Sequence, residues 1–185
     1  MKFFLATTVA AAALFSGAAF AESHANPMVG GAEMLATMNI VENAMNSADH
    51  TTLIAAVVAA GLADTLKGEG PFTVLAPTND AFAKLPAGTV EDLLKPENKD
   101  MLVKILTCHV IAAKAMSSDI MSMVEADGGM HMVTTVGGCD VTIETKDGHL
   151  TIKDGMGNVA TVTIADVKQS NGVIHVIDTV LLPKM

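Results

Sequence analysis

Arginine, tryptophan and tyrosine are absent from the 185 residues, and all eleven basic side chains are lysines facing twenty carboxylates, for a net charge of −9. Nucleic-acid recognition draws on a basic face with arginine or stacking aromatics, so the composition argues against that class of partner. Past residue 21 the aromatics are reduced to Phe72 and Phe82. A core must then come from Val, Ile, Leu, Ala and Met, which favours aliphatic packing over aromatic ligand cages. Cysteine is scarce as well. Cys108 and Cys139 read either as a disulfide, restricting the unfolded chain by about 3–4 kcal/mol in the loop-entropy model, or as two buried thiols.

What is present begins with Met1-Lys2, an uncharged apolar segment to about Phe15, and Ala19-Phe20-Ala21 before Glu22. One basic residue, a short apolar core and small residues at the cut describe a secretory signal peptide over residues 1–21. A membrane anchor is the competing reading, and the short, interrupted apolar segment speaks against it. The remainder has the length of one domain with a real core. Removal of the leader implies a secreted or periplasmic protein with no transmembrane segment left, in a compartment where cysteines pair. Residues 22–38 read as a flexible leader with little to bury, and the domain is expected over 39–185.

Helical signals follow. Asn39 is an N-cap for residues 40–45, Asp49 or Thr51 for a helix over 53–60 that Gly61 ends, and Thr78 or Asn79 for a helix through Ala81, Phe82 and Leu85. Thr89 opens another. Leu102, Ile105, Leu106 and His109 form one apolar stripe over 99–109, and a short helix runs from Ser117 or Ser118 to Val124. From residue 130 the pattern turns to strands: 130–136, 139–145, 149–153 and 159–167. Asp147-Gly148 predicts a hairpin with Ile143 opposite Ile152 and Thr145 opposite Leu150. The closing run from Val173 to Leu182 is apolar without polar alternation, which predicts a strand covered on both faces, with residues 72–76 as its neighbour. Helices first and strands later make an α+β domain.

Two stretches carry a family resemblance. Gly-Pro-Phe-Thr-Val-Leu-Ala-Pro-Thr-Asn-Asp-Ala-Phe (70–82) resembles the first motif of the fasciclin (FAS1) domain, and Asn-Gly-Val-Ile-His-Val-Ile-Asp-Thr-Val-Leu-Leu-Pro (171–183) its second. Residues 106–111 fall between them, where the family has a Tyr-His step. The resemblance implies a FAS1 fold, a β-sandwich or wedge of about six or seven strands with short helices around it and the two motif strands side by side. It also implies adhesion or envelope association through protein or glycan partners, without catalysis or a cofactor. The Tyr-His step is Cys108-His109 here, which puts the integrin recognition of animal members in doubt.

Candidate sites are each open to a plainer reading. Ser170, His175 and Asp178 stand in the order of a hydrolase triad, but His175 and Asp178 are three apart on a strand and point to opposite faces. His175 reads instead as a satisfied core histidine and Asn171 as a turn residue tying down backbone. Cys108 beside His109 suggests a thiol and its base, yet helix neighbours diverge by about 100 degrees. Met121, Met123, Met130, His131 and Met132 gather soft ligands suited to copper, with Met130, His131 and Met132 as the metal candidates, while methionine as core filler is the simpler account. Residues 154–158 lack the ligand pattern of a calcium loop and read as a turn. For binding, the surface around His109, Asp80 and Asn171 is the choice. A carrier of a small hydrophobic ligand is the alternative to adhesion.

Overall fold

A computed structural model describes residues 26–184; the signal-peptide expectation for residues 1–21 lies outside the described residues. The elements are β1 (Met28–Val29), β2 (Ala32–Glu33), α1 (Ile40–Asn46), α2 (Thr51–Ala60), α3 (Ala63–Lys67), β3 (Phe72–Pro77), α4 (Asn79–Ala83), α5 (Thr89–Leu93), α6 (Lys99–Thr107), β4 (Val110–Ile111), α7 (Ser117–Ala126), β5 (Met130–Thr134), β6 (Asp140–Lys146), β7 (His149–Lys153), β8 (Val159–Gln169) and β9 (Gly172–Ile177). Local chemistry sets many of their ends. Asn39 closes a capping box on α1, its side chain accepting from Glu42 N–H at 3.0 Å while Glu42 accepts from Asn39 N–H. Gly61, at φ 74°, ends α2. Thr78 caps α4 by accepting from Ala81 N–H. The expected cap of α2 differs: neither Asp49 nor Thr51 fills it. Asn79, at the start of α4, accepts from Thr52 N–H at 3.0 Å and donates to Ala48 O at 2.9 Å, capping α2 from another element.

Seven strands form one sheet in the order β4-β3-β9-β8-β7-β6-β5, and β3 with β9 is its one parallel pair. The expected neighbourhood of the two motif strands holds, with Phe72 opposite Gly172 through to Pro77 opposite Ile177. All of β9 is buried. Its side chains alternate between two cores. Val74, Ala76, Ile174 and Val176 pack beneath α1, α2 and α6, whereas Leu75 and Ile177 join Ile120 and Val124 of α7 and the inner residues of β6 to β8. Covering on both faces is why the second motif reads as an unbroken apolar run. The Asp147-Gly148 hairpin has the expected register, Ile143 opposite Ile152 and Thr145 opposite Leu150.

The sheet curls until its two edges meet. Val136 N–H donates to Val110 O at 2.8 Å and Gly137 N–H to Thr107 O at 3.0 Å. A disulfide between Cys108 and Cys139, with Cα atoms 5.4 Å apart, fastens the same seam. Two expectations give way here. Residues 28–34 are no flexible leader: β1 and β2 form a small hairpin that sinks Val29 and Met34 into the first core, at 3% and 2% exposure. Methionine is not core filler either. Of the eleven methionines among the described residues Met34 alone is buried, and seven are exposed.

At the motif starts the two backbones approach one another closely. A Cβ on Gly172 would stand 2.0 Å from Phe72 O, and one on Gly70 2.0 Å from Asn171 O. Only glycine allows the strands to sit that close. Gly172→Ala is expected to lower unfolding stability by about 2–3 kcal/mol or more, read from urea denaturation, and a change below 0.5 kcal/mol would show that the strands can separate without cost.

Candidate binding site at the motif ends

Asn171 is the polar hinge of the two motifs. Its Oδ1 accepts from Ile40 N–H at 3.1 Å, and its Nδ2 donates to Leu66 O at 2.7 Å and Gly68 O at 2.9 Å. One amide thus joins the start of α1, the end of α3 and the entry to β9, as a turn residue that ties down backbone was expected to do. Around it lies a cleft of about 440 Å3 whose walls include Lys67, Gly70, Lys114, Gln169, Ser170 and Asn171. Lys67 and Lys114 are exposed at its rim and stand in no ion pair among the described residues. Behind the wall, Gln169 and Asn43 are buried and bonded to one another, and Asn43 also donates to Leu35 O at 2.7 Å. The cleft is therefore backed by a bonded amide pair, with the exposed Lys67, Lys114 and Glu69 in front.

His109 is elsewhere and does another job. It lies just beyond the end of α6, 2% exposed. Nδ1–H donates to Ile105 O at 2.8 Å, Nε2 accepts from Leu181 N–H at 2.9 Å, and its own carbonyl accepts from Leu75 N–H at 2.8 Å. The ring is a clamp between α6, β3 and the closing segment, so the expectation that it marks a contact surface is corrected by burial. Asp80 is exposed in the first turn of α4. Asp80 and Asn171 flank opposite ends of the six-residue strand pair, about 20 Å apart. The three sequence candidates do not converge, and Asn171 alone belongs to the cleft.

The catalytic constellations weighed in the sequence resolve into structural bonds. His175 Nε2 donates to Ala115 O at 2.8 Å, and Nδ1 accepts from Asp166 N–H at 3.3 Å. Asp178 accepts from Thr161 N–H at 2.8 Å and from Lys84 at 3.3 Å. Cys108 is in the disulfide. The metal trio separates too: on β5 Met130 and Met132 project outward at 58% and 67% exposure, whereas His131 turns inward and contacts Asp127 at 2.6 Å. Strand alternation keeps that imidazole off the side the thioethers occupy. Asp154 holds its turn as expected, accepting from Met156 and Asn158 N–H.

Other polar residues went unseen in the sequence. Thr73 donates to Ala113 O at 2.5 Å and accepts from Ala115 N–H at 2.9 Å, so with His175 it anchors the approach to α7. Asp166 takes up the left-handed region at φ 59°, inside a bulge of β8, and accepts from both Ser117 N–H and Ser117 Oγ–H as the cap of α7. The sequence Ala-Asp-Val carries no glycine to flag that turn. The second half of Asp154's role was also hidden: Oδ2 accepts from Leu182 N–H at 2.8 Å, tying the turn to the closing segment.

The architecture so far defines an α+β domain organised on one parallel strand pair, with its polar motif residues turned inward to hold that pair. A model of the fasciclin domain matches residues 48–183, and the chain belongs to the fasciclin domain family. It is 53% identical to protein sll1483 of Synechocystis over 80% of this chain and 75% of that one. It is 44% identical to the cell surface glycolipoprotein MPB83 of Mycobacterium bovis, over 66% of this chain and 48% of the other. It is 37% identical to the transforming growth factor-beta-induced protein ig-h3 of Sus scrofa, over 71% of this chain and 17% of the other. Among solved structures, the FAS1 domain pair of the insect cell adhesion molecule Fasciclin I superposes with a TM-score of 0.55 at 24% identity, over 68% of this chain. The chain spans 42% of that pair's length.

Two outcomes test this account. Asn171→Asp keeps the size and the acceptor but replaces the amide donor with an oxygen facing the Leu66 and Gly68 carbonyls. It is expected to cost about 2–3 kcal/mol in urea denaturation, as much as Asn171→Ala, and a neutral result would remove Asn171 from the hinge. The second concerns pH. Burial lowers the His109 pKa to about 4, against the opposing Ile105 carbonyl and the charge of Asp154, and burial lowers those of His50 and His175 in the same direction. Unfolded histidine takes a proton near pH 6.5, so the stability is complete above that value and is lost as pH falls towards 4, by about 3 kcal/mol for His109. The urea midpoint is expected to fall between pH 6.5 and 4.5, less steeply in His109→Gln, which offers Leu181 an acceptor that does not titrate. An unchanged slope in that variant would contradict the neutral clamp.

Proposed function

We propose that this fasciclin domain acts outside the cytoplasm, secreted or periplasmic, and mediates adhesion or envelope association through non-covalent contacts with a protein or glycan. The observation that carries the reading is the fasciclin match over residues 48–183, together with a relative whose name places it at a cell surface. The site geometry is in keeping with it. The polar groups of His175, Asp178 and Asn171 are engaged in holding the fold, and what remains open at the motif starts is a cleft lined by Lys67, Lys114 and Glu69, its two lysines in no ion pair among the described residues. Such an arrangement orients a polar partner against a rigid wall. No helix among the described residues is long and apolar enough to cross a membrane.

The test is retention of a partner from envelope fractions of the producing cell on the immobilised full chain at low salt. A Lys67→Glu/Lys114→Glu variant is expected to weaken that retention about tenfold or more while unfolding at the same urea concentration. Absence of any retained partner at low salt, or equal retention by the variant, would overturn the proposal.

A further inference from the structure

Two of the exposed methionines come from different elements and face one groove. Met101 lies on α6 and Met156 in the turn between β7 and β8, 46% and 52% exposed. With Leu85, Leu93, Ile105 and Leu182 they line a concavity of about 210 Å3, in which Thr89 supplies the one polar side chain. Exposed apolar concavities of this kind mark ligand sites, and methionine walls adapt to an occupant. The walls are fixed from behind, since the buried Asp154 carboxylate accepts from both Met156 N–H at 2.9 Å and Leu182 N–H at 2.8 Å.

Charge stands at one end of the groove. Pro183 lines it and also lines an adjoining depression of about 170 Å3 that carries the Lys104 and Lys184 side chains. Met101, Lys104 and Ile105 are neighbours on one side of α6, three and four residues apart, so the helix itself carries the surface from apolar to cationic. Neither lysine stands in an ion pair among the described residues, and Asp140, the carboxylate of the depression, accepts from Thr134 Oγ–H at 2.7 Å. An apolar slot ending at two cations complements a tail ending in one anion.

We propose that this groove binds an anionic amphiphile, a medium-chain fatty acid in its simplest form, with the alkyl chain between Met101 and Met156 and the carboxylate on Lys104 and Lys184. The volume of about 210 Å3 equals that of about seven water molecules at roughly 30 Å3 each, room for a comparable number of methylene groups, so longer tails protrude. The site is separate from the cleft at the motif starts and stands or falls independently of the adhesion reading. It gives a ligand class and a place to the carrier alternative read from the sequence.

Calorimetric titration of the full chain with saturated carboxylates from hexanoate to dodecanoate, below their aggregation concentrations, tests it. Affinity is expected to tighten about fourfold with each methylene up to about octanoate or nonanoate and then level off. The primary alcohol of equal length is expected to bind at least tenfold more weakly, and Lys104→Glu/Lys184→Glu to abolish that margin without affecting the alcohol. Met101→Asp and Met156→Asp, both at exposed positions, are expected to weaken acid and alcohol alike while thermal unfolding stays unchanged. Absence of saturable binding, affinity independent of chain length, equal binding of acid and alcohol, or full binding by both aspartate variants would overturn the proposal.

Discussion

Everything in this domain depends on a parallel pairing between β3 and β9, two strands separated by about a hundred residues of chain. Parallel strands cannot be joined by a tight turn, and the intervening chain has to be stored somewhere. Here it is stored as α4 to α7 and the β5–β8 meander: α4 to α6 join α1 to α3 over the first core, and α7 joins β6 to β8 around the second. Each motif strand presents alternate side chains to each core. The pair is thus a shared wall, and the polar residues at its margins serve the wall: Asn171 at the entry, His109 and Thr73 at mid-height, Asp178 at the exit.

This arrangement explains why family motifs and functional sites separate here. A motif residue such as His109, His175 or Asn171 looks reactive in the sequence because histidine and asparagine carry versatile groups. Inside the domain each ring nitrogen of His109 and His175 and each amide atom of Asn171 already has a partner, mostly backbone. A neutral imidazole with one donor and one acceptor nitrogen is well suited to bridge a carbonyl and an N–H from separate elements, and burial keeps it neutral. The proposed recognition surfaces lie at the margins of the motifs, where Gly70 and Asn171 border the cleft and Leu182 and Pro183 border the groove.

Local signals were legible wherever the determinant was local. The Asn39 N-cap, the Gly61 C-cap, the Asp147-Gly148 hairpin with its register, and the doubly covered β9 could all be read because the deciding residues are adjacent or a few positions apart. What escaped was decided at long range. Two-residue β4 has no periodicity of its own and exists because β3 offers it an edge. Asn79 caps a helix that ends before it begins, and Asp166 caps one some fifty positions upstream. The cleft joins Lys67, Lys114 and Asn171, which no spacing rule connects. The methionines are the instructive miss. Abundance suggested the interior, whereas the alternation of Met130 and Met132 with His131 and Val133 on β5 already carried the outward sign.

The position of β9 after every other element of the domain has a consequence for the order of folding. Neither core can be sealed by anything the ribosome produces earlier, because the strand that divides them emerges last and its parallel partner has waited since residue 72. Until then the domain is a set of helices and hairpins without a common interior, and closure waits for the second motif.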